Sequence, residues 1–221
     1  MIAGALAQLA RIITGASVHW VEDPPVTPGA QRVYFGNHSS HLDFVVIWSA
    51  LPPAERQRTR PVAGADYWER GRIKRYLARK VFRAILIERA TAPGPAALLA
   101  SPSAPSSPAS QASATLSVER IASGMGARDS IIVFPEGTRT AGSDVLPFKS
   151  GLFHLCSMKP ELELVPVHLA NMNRILPKGE VLPVPLLGRV VFGPATRIEP
   201  GEQKGVFLDR MRNALLALRD Q

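Results

Sequence analysis

Cysteine is nearly absent: Cys156 stands alone in 221 residues. That excludes a disulfide framework and a zinc site built from thiolates, and a lone cysteine reads as a small buried apolar residue. Aromatic residues make up only 6% of the chain, too few for the stacking platforms that bind single-stranded RNA. No apolar run approaches the roughly 20 residues that cross a bilayer as a helix, which excludes a polytopic membrane protein. There is no G-x-S-x-G elbow and no G-x-x-x-x-G-K-[ST] loop, so a serine hydrolase of that type or a P-loop enzyme has no support. Acidic residues are the scarce charge: 18 Asp+Glu face 26 Lys+Arg, for a net +8. With 46% hydrophobic and 20% charged residues the remainder is ordinary, and at about 150 residues per domain one domain is expected.

The positive charge is concentrated. From Glu55 to Arg89 there are eleven Lys/Arg and four Asp/Glu. Such a block either faces an anion (phospholipid headgroups, nucleotide phosphates, an acidic protein, nucleic acid) or is a solvated helix face. The N-terminal stretch Met1–Val18 carries one charge, Arg11. It has no basic segment before an interrupted apolar stretch, so it does not read as a secretory signal. Ile2, Leu6, Leu9, Ile13 and Ala16 share a helical face, which suits either a monotopic membrane helix or a helix docked on the domain. Residues 1–20 are therefore set apart from a domain spanning 21–221.

Within that domain, Thr91–Ser117 has no charge, and 21 of its 27 residues are Ala, Pro, Ser or Gly. Prolines at 93, 95, 102, 105 and 108 argue against a continuous helix, so 91–117 reads as a flexible, partly extended insertion. Around it strands and helices alternate. Strands are expected at 31–36, 60–64, 84–88, 130–134, 163–169 and 188–192. Helices are expected at 43–50, 70–83, 115–126, 150–158 and 205–219. The helix over 70–83 is basic, with Ile73, Leu77, Val81 and Tyr76 expected inward. The pattern argues for an α/β fold: one mixed sheet flanked by helices.

Four short segments carry the polar chemistry. Asn37-His38-Ser39-Ser40-His41-Leu42-Asp43 follows a strand and precedes a helix, where open α/β sheets place ligands. Asp43 can reach the His38 ring, fixing one nitrogen and leaving the other basic. Asp43 as a helix cap, or His38 and His41 with Asp43 as metal ligands, are the competing uses. Phe134-Pro135-Glu136-Gly137-Thr138-Arg139 follows a second strand. Gly137 permits a sharp turn, Thr138 and Arg139 offer donors to a phosphate, and Glu136 orients Arg139 or a backbone amide. Lys149 stands where a further helix begins, another place that favours an anion. Arg89 closes the apolar strand Ile85-Leu86-Ile87, and Val165-Pro166-Val167 is an apolar strand whose proline suits an edge or a bend.

In chain order the four segments resemble the glycerophospholipid acyltransferase superfamily, which includes the 1-acylglycerol-3-phosphate acyltransferases. That family shows N-H-x-S-x-x-D, an apolar segment ending in arginine, F-P-E-G-T-R and a late V-P-V; Phe148-Lys149-Ser150-Gly151 also matches its F-K-x-G continuation. The resemblance implies a glycerolipid acyltransferase-like fold and transfer of an acyl group from a thioester to the free hydroxyl of 1-acylglycerol-3-phosphate, giving phosphatidate. It implies His38 as general base, Asp43 as its orienting partner, and Arg89, Glu136, Gly137, Thr138, Arg139 and Lys149 around the acceptor phosphate. It implies no metal and no cofactor beyond acyl-CoA or acyl carrier protein as co-substrate, a membrane lipid as partner, and a peripheral or monotopic place at the cytoplasmic face of a membrane. The acceptor can also be glycerol-3-phosphate, another lysophospholipid or a lyso-aminolipid. A non-enzymatic alternative, a basic RNA- or membrane-binding module using Arg56–Arg89, lacks a stacking motif, and no nucleic acid is expected.

Overall fold

The computed structural model describes residues 2–22, 29–40, 42–88, 108–140, 144–172 and 188–221. In chain order the elements are α1 (Ile2–Thr14), β1 (Ser17–Trp20), β2 (Arg32–Gly36), α2 (Asp43–Ala50), α3 (Pro53–Arg58), β3 (Thr59–Gly64), α4 (Ala65–Trp68) and α5 (Arg72–Tyr76). The chain continues as a π-helical turn (Leu77–Val81), β4 (Ile85–Ile87), α6 (Pro108–Gly124), β5 (Ser130–Val133), α7 (Gly151–Met158), β6 (Glu163–Ala170), β7 (Arg189–Phe192) and α8 (Lys204–Leu216). The strands form one seven-stranded sheet in the order β1-β7-β6-β2-β5-β3-β4. Every pairing is parallel except β6 with β7. This is the expected mixed sheet.

Strands buried on both faces read as short continuous apolar runs. In β2, Val33 and Phe35 point to one face and Tyr34 to the other; in β6, Val165, Val167 and Leu169 share Tyr34's side. That side is covered by α1, α2 and the turn carrying Phe82, the opposite side by α6, α7 and α8. Because β2, β3, β4, β5 and β6 run parallel, their carboxyl ends lie along one edge of the sheet.

Several expectations change. Val165-Pro166-Val167 lies in an interior strand, not at an edge. Leu164 exchanges both backbone hydrogen bonds with Thr196, and the Pro166 carbonyl accepts from the Gly193 amide. Pro166 thus sits where the regular ladder with β7 stops at Phe192 and pairing continues only through isolated bonds to Gly193 and Thr196. Helix α6 begins at Pro108, inside the segment read as an insertion; proline is tolerated in a first turn, where its missing N–H is unneeded. Residues 91–107 lie outside the described residues.

Helix α1 docks through Ala7, Ala10 and Thr14, all buried; of the expected apolar stripe, Leu6 and Ala16 pack against the same core, while Leu9 and Ile13 are exposed. Small residues permit close approach to α2, leaving Leu9 and Ile12 exposed. The helix ends at Gly15 (φ +53°), and the chain then enters the sheet as β1, a strand the periodicity does not announce. In the basic helix Leu77 and Val81 pack against the core as expected, beside the buried Ala78 and Phe82, while Ile73 and Tyr76, also expected inward, are exposed. Phe82 fixes this by packing edge-on to Phe44 and Trp48 of α2.

Candidate active site

β2 delivers the first loop. A Cβ at Gly36 would lie 3.0 Å from the Val167 carbonyl oxygen, so the strands approach closely where β2 ends. Asn37 continues the ladder with its side chain: Nδ2 donates to the Leu169 carbonyl at 2.9 Å, and Oδ1 accepts the Leu169 amide at 2.8 Å. The loop is thus pinned to β6 one residue before His38, a use of Asn37 that no local sequence pattern signals.

His38 is held at every polar backbone atom. Its amide donates to Glu136 Oε1 at 2.8 Å, and its carbonyl accepts the Thr140 amide at 2.9 Å. Its ring stacks on Phe134, centroids 4.2 Å apart and planes 14° from parallel. Nδ1 lies 2.8 Å from Asp43 Oδ2. That same oxygen accepts the amides of Ser39 at 2.7 Å and Ser40 at 2.8 Å. An oxygen that receives two N–H groups is an acceptor, so Nδ1 carries a proton, and in the neutral ring the lone pair is on Nε2.

Asp43 is the first residue of α2 and is fully buried. It is not a helix cap: the amides it receives precede the helix, and the capping position is Leu42. Burial pushes its carboxyl pKa up, opposed by the His38 ring and the Ser40 and Ser39 amides. Its Oδ1 is buried and has no hydrogen-bond partner among the described residues. His41 lies outside the described residues, and no group of three or more potential metal-ligating side chains forms among the described ones.

β5 delivers the second loop. The Gly137 amide closes a turn onto the Phe134 carbonyl at 3.0 Å with Gly137 at φ +68°, a conformation that favours glycine. Glu136 is buried at the centre: Oε1 takes the His38 amide, Oε2 the Leu146 amide at 3.0 Å. Burial raises its pKa and those two amides lower it. Of its two expected uses, the structure shows the backbone one. With both oxygens occupied, and its charge opposed to an anion, Glu136 ties the His38 loop to the 144–149 segment instead of touching a phosphate.

Gly137 and Thr138 are exposed and Arg139 half-buried at the mouth of this turn. Lys149 lies across it: a Cβ at Gly137 would come within 2.9 Å of Lys149 Nζ, Cε and Cδ, and the Lys149 amide is fixed to the Pro135 carbonyl at 2.8 Å. Strand β4 ends on this sheet edge at Ile87, but Arg89 lies outside the described residues. The sheet therefore brings His38, Asp43, Glu136, Gly137, Thr138 and Arg139 to two adjacent strand ends, with Lys149 across the turn: an imidazole near a turn flanked by two cations.

A family profile described as Acyltransferase matches residues 18–170. A 1-acyl-sn-glycerol-3-phosphate acyltransferase of Limnanthes douglasii is 27% identical over 183 residues, 79% of this chain and 56% of that protein. One of Limnanthes alba is 42% identical over 59 residues, 26% of this chain and 21% of that protein. The chain thus spans little more than half the length of the first of these relatives. The crystal structure of the 1-acyl-sn-glycerophosphate acyltransferase PlsC from Thermotoga maritima superposes with a TM-score of 0.71 at 13% identity, covering 99% of this chain and 78% of that one, a likeness of fold.

Proposed function

This chain belongs to the Acyltransferase family, and from that premise we propose that it transfers an acyl group from acyl-CoA or acyl carrier protein to the free hydroxyl of 1-acylglycerol-3-phosphate. The observation that carries the proposal is the 2.8 Å contact between His38 Nδ1 and Asp43 Oδ2, which leaves Nε2 as a base beside the Gly137–Lys149 turn. The acceptor's phosphate rests on Arg139, Lys149 and Thr138, and Arg89, outside the described residues, is assigned to the same set. In this reading its hydroxyl lies at His38 Nε2. The hydroxyl oxygen attacks the thioester carbonyl as its proton passes to Nε2. The carbon–sulfur bond then breaks, and the thiolate leaves with that proton. Ester and thiol are the products, with no acyl-enzyme.

Asp43 contributes by stabilising the imidazolium while Nε2 holds the proton, and Phe134 by fixing the plane of the ring. The reaction belongs to phospholipid biosynthesis. The protein works peripherally at the cytoplasmic face of a membrane, with the exposed apolar side of α1 toward the lipid. Among the described residues no helix is long and apolar enough to cross a membrane.

The test is acyl transfer by the purified protein with both thioester donors and a panel of acceptors: 1-acylglycerol-3-phosphate, glycerol-3-phosphate, other lysophospholipids and a lyso-aminolipid. Turnover should be greatest with 1-acylglycerol-3-phosphate, and His38→Ala should lower it by roughly 10²–10⁴-fold with the fold intact. Absence of transfer to every acceptor, or near-normal turnover by folded His38→Ala, would overturn the proposal.

A further inference from the structure

The acyl-transfer chemistry makes no use of the outer surface of α5 and its π turn. Between residues 66 and 83 seven Lys/Arg face two acids, Asp66 and Glu69. Glu69 is committed to Arg79 at 2.7 Å, and its carbonyl to Arg75. Lys74 sits over the Tyr67 ring, 3.8 Å from its centroid. Arg72, Arg75, Arg79 and Lys80 remain exposed. Among them stand Ile73 at 77% and Tyr76 at 51% exposure.

A helix face that is merely solvated gains nothing from an isoleucine in water. Large apolar side chains set among cations are instead the composition of a helix lying in a lipid interface. A second element adds the same property. Helix α1 packs on α2 through Ala7 and Ala10, and the π turn packs on α2 through Phe82, so both belong to one side of the sheet. There α1 exposes Leu9 and Ile12, with Arg11 its one charge.

We propose that Ile73 and Tyr76, with Arg72, Arg75, Arg79 and Lys80 around them, form the docking surface for an anionic phospholipid bilayer. The cations meet lipid phosphates, and the two apolar side chains enter the acyl boundary. The identity of the occupant follows from the spread of the surface. Apolar residues on two separate elements of one side suit an extended lipid surface. A small acidic protein engages one charged patch and leaves the uncharged outer residues of α1 uncovered. The inference rests on the acyl-transfer proposal only in taking a lipid as acceptor.

The test is co-sedimentation of the full chain with vesicles of phosphatidylcholine alone and of phosphatidylcholine with phosphatidylglycerol. Binding should require the anionic lipid and fall with salt. Arg72→Gln with Lys80→Gln should weaken it about 30-fold, and Ile73→Ser with Tyr76→Ser about tenfold. Because these four side chains are exposed, circular dichroism and melting should stay as in the unsubstituted protein, as should acyl transfer to a detergent-dispersed acceptor. Equal binding to neutral vesicles, or vesicle binding that neither pair of substitutions changes, would overturn the assignment. So would unchanged vesicle binding coupled to a raised KM for an acyl carrier protein donor, which would give the surface to that protein. Detergent-phase turnover reports separately on the acyl-transfer proposal, so the two fail independently.

Discussion

Asp43→Asn is the sharpest perturbation of the site, because it changes charge and almost nothing else. Oδ2 of Asp43 receives three N–H groups at 2.7–2.8 Å, from His38, Ser39 and Ser40. An asparagine oxygen placed there keeps three hydrogen bonds but makes each a neutral one, about half as strong. The amide nitrogen then occupies the buried position of Oδ1, which has no partner among the described residues; an unmet buried donor costs about 1–3 kcal/mol. Against this, removing a fully buried carboxylate relieves its desolvation. The two effects oppose, so stability should change by no more than about 2 kcal/mol.

Catalysis has no such compensation. In the proposed reaction His38 Nε2 takes the acceptor's proton, and in this variant the imidazolium then lies beside a neutral amide instead of the anion 2.8 Å from Nδ1. If the asparagine nitrogen turns toward Nδ1, the ring must accept there and present Nε2–H to the substrate, which removes the base. A kcat lowered by roughly 10²–10⁴-fold is expected, with KM for both substrates nearly unchanged, since Asp43 touches neither. Steady-state acyl transfer alongside thermal melting is the assay. A folded Asp43→Asn protein that retains kcat within about tenfold of the parent would show Asp43 to be a loop brace and refute the dyad.

Arg139→Ala should raise KM for the phosphorylated acceptor more than for the thioester, through loss of a fork-shaped phosphate donor; a rise confined to the thioester would place the arginine on the wrong substrate. Gly137→Ala puts a side chain at φ +68° and a Cβ within 2.9 Å of the Lys149 side chain. Lys149 can swing aside, so the strain should cost only about 1–2 kcal/mol in melting experiments while acceptor KM rises; unchanged KM would remove Lys149 from the phosphate site. His168, buried in β6, is pushed down to about 4 by burial and by Arg219 and Arg189. It stays neutral in the folded chain while the unfolded chain takes a proton below about 6.5. Its contribution, roughly 3 kcal/mol, is complete above that pH and is lost as pH falls toward 4; His168→Gln should flatten that slope in denaturant titrations, and an equal slope would refute it. Replacing residues 93–107 with a short Gly/Ser linker should leave turnover and melting temperature nearly unchanged, since closure entropy changes by only about 0.6 kcal/mol per doubling of length; loss of turnover would make the segment structural.

Residue type and spacing alone carried much of the site. His38 and Asp43 belong to a strand-to-helix turn, Gly137 to a tight turn after a buried strand, and Arg139 and Lys149 to chemistry suited to phosphate. These are local matters, set by a few adjacent dihedrals and by which side chains hold protons or charge. The alternation of short apolar strands with helices is local in the same sense, and it was enough for a mixed α/β sheet. The tertiary structure decided what depends on partners remote in sequence. Asn37 serves the loop because Leu169 arrives beside it on β6, and Glu136 serves His38 and Leu146 because β2 and β5 are neighbours. Pro166 is tolerated in an interior strand because β7 ends at Phe192. Ile73 and Tyr76 face outward because Phe82, further along the same segment, fills the space against Phe44 and Trp48. Periodicity identifies an apolar stripe, but only packing against a particular neighbour selects which residues of that stripe are buried.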